Sequence, residues 1–150
     1  MQIHTLKRLM MLSVLGMLAT VSAHAQSGKQ FTVTIPFDFS VGGKDLSAGQ
    51  YRVGPATQTS GEGLVLRRTD GRAGVFVLSS RIQTEAAQQE SKLVFRRYGN
   101  QYFLEEIWSQ GDSTGNQVEE SRAERKLEKD GATRECHSVD LPRGEHHARN

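Results

Sequence analysis

Between residues 31 and 41 the chain reads FTVTIPFDFSV, with Phe31, Val33, Ile35, Phe37, Phe39 and Val41 on one parity and Thr32, Thr34, Pro36, Asp38 and Ser40 on the other. A strand turns successive side chains to opposite faces, so strict alternation of this kind predicts a half-buried β-strand. Pro36 has no N–H to give a neighbouring strand, which places an edge, a bulge or a bend at that point.

The two-residue period continues downstream. Gly42-Gly43-Lys44 turns the chain, Ala48-Gly49 marks another turn, Tyr51 and Val53 open the next short strand, and GPATQTSGEG (54–63) reads as a loop. LVLRRTDGRAGVFVL (64–78) predicts a hairpin turned at TDGR, and the polar RIQTEAAQQE (81–90) predicts a connection. A second hairpin follows, with strands at 92–98 and 101–109 turned by Gly99-Asn100. The two hairpins are near-copies offset by 29 residues, too few repeats for a solenoid, and they are expected as neighbours in one meander. SQGDSTGNQ (109–117) reads as a further loop.

The period changes in VEESRAERKLEKDG (118–131). Ser121 with Glu124, or Asn116 with Glu119, suits a capping box. Lys126 and Lys129 suit the negative end of a helix dipole, and Gly131 offers a stop. The apolar content is thin, chiefly Val118, Ala123 and Leu127, which predicts a short helix lying across the outside of the sheet. From Ala132 onward almost nothing is apolar, so residues 132–150 are expected as a disordered or loosely docked tail. The fold expected is mainly β, a small antiparallel barrel or sandwich of six or seven strands with one short C-terminal helix, spanning residues 26–131.

The N-terminus has a different pattern. Lys7 and Arg8 precede the apolar run Leu9–Val21, and Ala23-His24-Ala25 closes it with small residues spaced for cleavage, the layout of a secretory signal peptide over residues 1–25. The run is shorter than the roughly 20 residues of a membrane-spanning helix. The expected location is therefore periplasmic or extracellular, with no permanent membrane span after cleavage.

Cleavage also changes the charge. The chain carries 19 Lys+Arg against 17 Asp+Glu, and loss of Lys7 and Arg8 leaves the two signs equal. A neutral domain has no overall field drawing it to nucleic acid, so attraction to an anion has to come from a local patch. The single cysteine, Cys136, allows no intramolecular disulfide, and nothing near it in sequence suggests an activated thiol.

Two arginine pairs are the candidate chemistry. Neighbours on a strand point to opposite faces, so Arg67 and Arg68 diverge, as do Arg96 and Arg97. One arginine from each pair can share a face if the hairpins adjoin. Arg68, Arg72 and Arg97 then form a patch for an anionic glycan or lipid headgroup, and Tyr98, Tyr102 and Trp108 form an aromatic platform for sugar rings. The plain alternative is a sheet rim whose arginines stack on aromatics and pair with acids. A two-residue turn at Gly99-Asn100 sets Arg97 opposite Tyr102, Arg96 opposite Phe103, Phe95 opposite Leu104 and Val94 opposite Glu105, with a three-residue turn shifting each by one.

Catalytic and metal chemistry find little support. The three histidines after the leader are His137, His146 and His147, all in the expected tail, where no rigid frame fixes a nucleophile–base pair or a metal. No cofactor motif is present.

The blocks IPFDFSVGGKDLSAGQYRV, SKLVFRRYGNQYFLEEIW and SRAERKL together resemble a family of uncharacterised small secreted proteins of soil bacteria, over roughly residues 31–127. The resemblance implies a shared exported β-rich domain and carries no known activity, so it transfers no functional residues. Where that family's pattern has His-Arg before Tyr-Gly, this chain has Arg96-Arg97, which weighs against a metal or proton-transfer role there. The function expected is that of an exported, non-catalytic binding or envelope-associated β-domain. The alternatives are an extracytoplasmic hydrolase using carboxylates not singled out by the sequence, and a structural subunit that adds its first strand to a partner's sheet.

Overall fold

The alternating run at residues 31–41 forms two strands, β1 (Phe31–Ile35) and β2 (Phe39–Val41), parted at Pro36. The computed structural model describes residues 30–56, 63–72 and 74–141. The expected leader, the centre of the 54–63 loop and the histidines at 146 and 147 lie outside the described residues. The remaining elements are β3 (Lys44–Leu46), β4 (Gly49–Pro55), β5 (Gly63–Arg68), β6 (Gly74–Gln83), β7 (Lys92–Tyr98), β8 (Gln101–Trp108), β9 (Thr114–Val118), α1 (Arg122–Lys129) and β10 (Arg134–Asp140).

The main ladder runs β1-β4-β5-β6-β9-β8-β7-β10, antiparallel throughout, and the β2–β3 hairpin joins β8 through a single parallel pair, Ser40 with Phe103. β6 belongs to both halves, because Gly74–Leu78 of it pairs with β5 while Ser79–Gln83 pairs with β9. The sheet does not close into a barrel, and its arrangement is sandwich-like. Phe31, Val33, Tyr51, Val53, Leu66 and Val77 from the first half pack into one cluster with Phe39, Leu93, Phe95, Leu104, Ile107 and Val118 from the second. Each fully buried apolar side chain of this kind contributes roughly 1.5–3 kcal/mol.

Both hairpins form. The Gly99-Asn100 turn is the two-residue kind, pairing Arg97 with Tyr102, Arg96 with Phe103 and Phe95 with Leu104. Beyond Phe95 the register shifts, so Val94 faces Glu106 and not Glu105. The additional residue in β8 resets its parity, which lets Leu104 and Ile107 both enter the core opposite Phe95 and Leu93.

Five expectations need correction. Ten strands form among the described residues, where six or seven were expected. Residues 81–83, expected in the connection, extend β6, and the expected 109–117 loop holds β9, which pairs with that extension. Gly115 permits this, since the Trp108 ring lies where a Cβ would stand, 2.5 Å from its Cε3. With β9 lying between β6 and β8, the two hairpins are not neighbours in one meander. Finally, the segment expected as a loose tail carries β10, which pairs with β7 along all seven residues although almost every side chain is in solvent. Main-chain pairing needs no apolar pattern, which is why composition missed it.

Of the two capping boxes the sequence offers, the one at Ser121 forms, while Asn116 lies in β9. Ser121 accepts from the Glu124 N–H, and the Glu124 carboxylate accepts from the Ser121 N–H, completing the capping box. Val118 lies in β9, outside the helix. No helix among the described residues is long and apolar enough to cross a membrane.

Candidate functional site

The second arginine pair divides as the strand period requires. Arg96 turns to the face covered by α1, and its side chain is almost wholly buried. Its Nη1 lies 2.9 Å from Glu120 and 3.2 Å from Glu124, its Nε lies 3.7 Å from Glu105, and its Nη2 donates to the Val118 carbonyl at 3.1 Å. Arg134 on β10 pairs with the same Glu105. One turn further along the helix, the Tyr98 hydroxyl donates to Glu128 at 2.6 Å. Thus α1 is attached by ion pairs and hydrogen bonds, and its buried residue is Glu124 rather than an apolar one.

The electrostatics follow from that burial. Desolvation pushes the Glu124 carboxyl above its ordinary value, with the Arg96 charge acting in the opposite direction. Desolvation also raises the Tyr98 phenol, reinforced by its bond to the Glu128 carboxylate. Arg96 Nε, Glu105 Oε2 and Glu124 Oε1 have close charges but no well-directed hydrogen bond. An open, polar pocket of about 310 Å³ adjoins the cluster, lined by Ser80, Arg96, Gln117, Glu119, Glu120 and Arg125 among others.

The residues expected to bind an anion are dispersed. Arg68 pairs with Asp70 at 3.0 Å, and its guanidinium lies against Gly49. Arg72 is exposed, with its main-chain N–H donating to the Asp70 carboxylate. Arg97 donates to the Gly99 carbonyl at 2.7 Å, lies 3.4 Å from Glu135 and stands over the Tyr102 ring at 5.6 Å. β6, β9 and β8 come between the strands of Arg68 and Arg97 in the sheet. Tyr98 and Trp108 are each 3 % exposed, the latter donating its indole N–H to Glu106, and half-buried Tyr102 stacks on Phe37. These three rings therefore present no common exposed platform.

A different face carries cations without a described counter-charge. On the outer side of the first half, Thr32, Arg52, Arg67 and Gly74 form one cross-strand row, Gly54, Val65 and Phe76 form the next, and Gly63 pairs with Leu78 beyond it. Arg52 and Arg67 are direct partners across β4 and β5, and both are exposed. Among the described residues neither has an acidic partner, and no Asp or Glu lies in these rows. Phe76 and Leu78 are 57 % and 67 % exposed, and the Phe76 ring covers Gly63. Parity already separated Arg67 from Arg68, but its opposition to Arg52 depends on the β4–β5 register, which crosses a long loop.

No group of His, Cys, Asp and Glu among the described residues is arranged to hold a metal ion. Compared with known proteins, the chain matches no family model, and no curated protein or solved structure is significantly similar to it.

Proposed function

We propose that this chain is an exported, non-catalytic binding domain that engages an anionic ligand through Arg52 and Arg67. The observation that carries the reading is the direct opposition of these two cations. Like charges facing across a strand pair destabilise it, and here no described acid offsets them. An anion placed between them removes that repulsion and gains charge-assisted hydrogen bonds from both guanidinium groups. Export is read from the signal-peptide layout of residues 1–25.

The test is binding of fluorescently labelled dextran sulfate, followed by anisotropy at two salt concentrations. At about 1 kcal/mol for each arginine near an anionic surface, Arg52→Ala with Arg67→Ala weakens binding about thirtyfold and flattens its salt dependence. Unchanged affinity in that variant sinks the reading, whereas Arg68→Ala with Arg97→Ala has a smaller effect because both side chains already have acidic partners.

One observation favours the hydrolase alternative: Glu119 and Glu120 line the open pocket beside Arg96, with the raised Glu124 carboxyl nearby. Glu120 and Glu124 are paired with the same guanidinium, which also suits a purely structural role. Turnover of generic ester or glycoside substrates that disappears in Glu120→Gln would decide for catalysis.

A further inference from the structure

The same face that presents Arg52 and Arg67 also exposes two large apolar side chains that the binding of a small anion does not use. Phe76 and Leu78 share one face of β6, about 7 Å apart at the rise of an extended strand. Their half of β6 pairs with β5 on one side, while β9 begins its pairing only at Ser79. They therefore stand at the margin of the first half of the sheet. Arg67 and Arg52 lie one and two strands behind them.

We propose that this face lies on an anionic lipid bilayer, with Phe76 and Leu78 entering the boundary between headgroups and acyl chains while Arg52 and Arg67 meet lipid phosphates. The inference rests on the anion-binding reading above and names the source of the anion. Three features argue for it. The exposed apolar side chains and the cations share one sheet face, and a lipid surface supplies an apolar margin and a plane of phosphates together. Arginine has an apolar stem and a charged head, so it can remain at headgroup depth while its neighbours are buried. The described rows contain no carboxylate that would be repelled by an anionic leaflet. A soluble polyanion accounts for the arginines and leaves Phe76 and Leu78 in water.

The experiment is co-sedimentation of the purified chain with phosphatidylcholine vesicles, with and without 30 % phosphatidylglycerol (about that fraction, chosen to give a moderate negative surface potential). Variants are compared in the same background, so any contribution from the apolar residues Leu9–Val21 is common to all. The parent chain sediments more with the anionic vesicles, and Arg52→Glu with Arg67→Glu abolishes that difference. Phe76→Ser with Leu78→Ser weakens anionic-vesicle binding by about tenfold or more, since each loses a buried apolar side chain, while dextran sulfate binding is unchanged. Phe76→Trp, which keeps a large ring, shows a fluorescence blue shift and quenching by bromine-labelled acyl chains, whereas the buried Trp108 does not respond. If dextran sulfate binds through Arg52 and Arg67 but anionic vesicles do not recruit the chain, the bilayer is the wrong source and the anion reading stands. If vesicles recruit the chain but the Phe76→Trp signal does not move, insertion of Phe76 and Leu78 is overturned and only the arginine contact with the phosphates stands. Failure of both probes overturns both.

Discussion

Replacing Arg96 with methionine tests whether the ion cluster holds α1 to the sheet. The substitution keeps an unbranched apolar stem but removes the charge facing Glu105, Glu120 and Glu124 and the donor to the Val118 carbonyl. Glu120 can turn to water and Glu105 keeps Arg134, so the loss falls chiefly on Glu124, which is 2 % exposed. Breaking a buried pair by removing one partner costs about 3–5 kcal/mol, and the remaining relief argues for about 3 kcal/mol. For a domain of this size that lowers Tm by roughly 10 °C. Urea unfolding followed by Trp108 fluorescence and far-UV circular dichroism reads the change, Trp108 being the single tryptophan and buried on the folded sheet. Adding Glu124→Gln to Arg96→Met removes the stranded charge while retaining a residue suited to the capping box, so the double variant recovers most of the loss. The loss is also smaller at pH 4 than at pH 7, because without Arg96 the Glu124 carboxyl takes up its proton more readily. A loss under about 1 kcal/mol at pH 7, or a double variant no better than the single, refutes the argument that this cluster governs helix attachment.

Two further changes probe the same packing. Glu124 has a folded-state pKa above its unfolded value, so its contribution is fully present below the unfolded pKa and is lost as pH rises through the folded one. Glu124→Gln therefore gains stability relative to the parent between pH 4 and pH 7, and a gap in unfolding free energy that stays constant with pH contradicts this. Gly115→Ala places a Cβ 2.5 Å from the Trp108 ring, against which neither backbone nor indole has room, and costs about 1–3 kcal/mol with a shifted Trp108 emission; a parent-like melt and spectrum count against the close approach.

The binding proposed at Arg52 and Arg67 and the attachment of α1 through Arg96 would use one residue type for opposite purposes. The first pair of cations faces water without described counter-charges, whereas Arg96 is enclosed by carboxylates. Solvent exposure and nearby charge separate a candidate recognition surface from a structural clamp. Residue identity alone does not.

Much of the fold was legible because it is local. Alternation marked β1 and β2, Pro36 marked a bend or edge where they part, Gly99-Asn100 marked a hairpin turn whose two-residue length only the register settles, and Ser121 with Glu124 was one of two capping boxes on offer for the start of α1. In each case the residues that determine the element lie within a few positions of one another. β9 and β10 were not legible, since their sequences alternate poorly and their order comes from main-chain pairing with β6, β8 and β7.

For the arginines, the sequence determined that each member of a pair points away from its neighbour, a consequence of the pleat. Tertiary structure decided which of those directions is buried. Placement of α1 over β7 and β8 encloses Arg96, and the register of β4 on β5 brings Arg52 opposite Arg67. Local backbone geometry sets a side chain's direction, but the atoms waiting in that direction come from distant segments, and their arrival depends on how the strands pair.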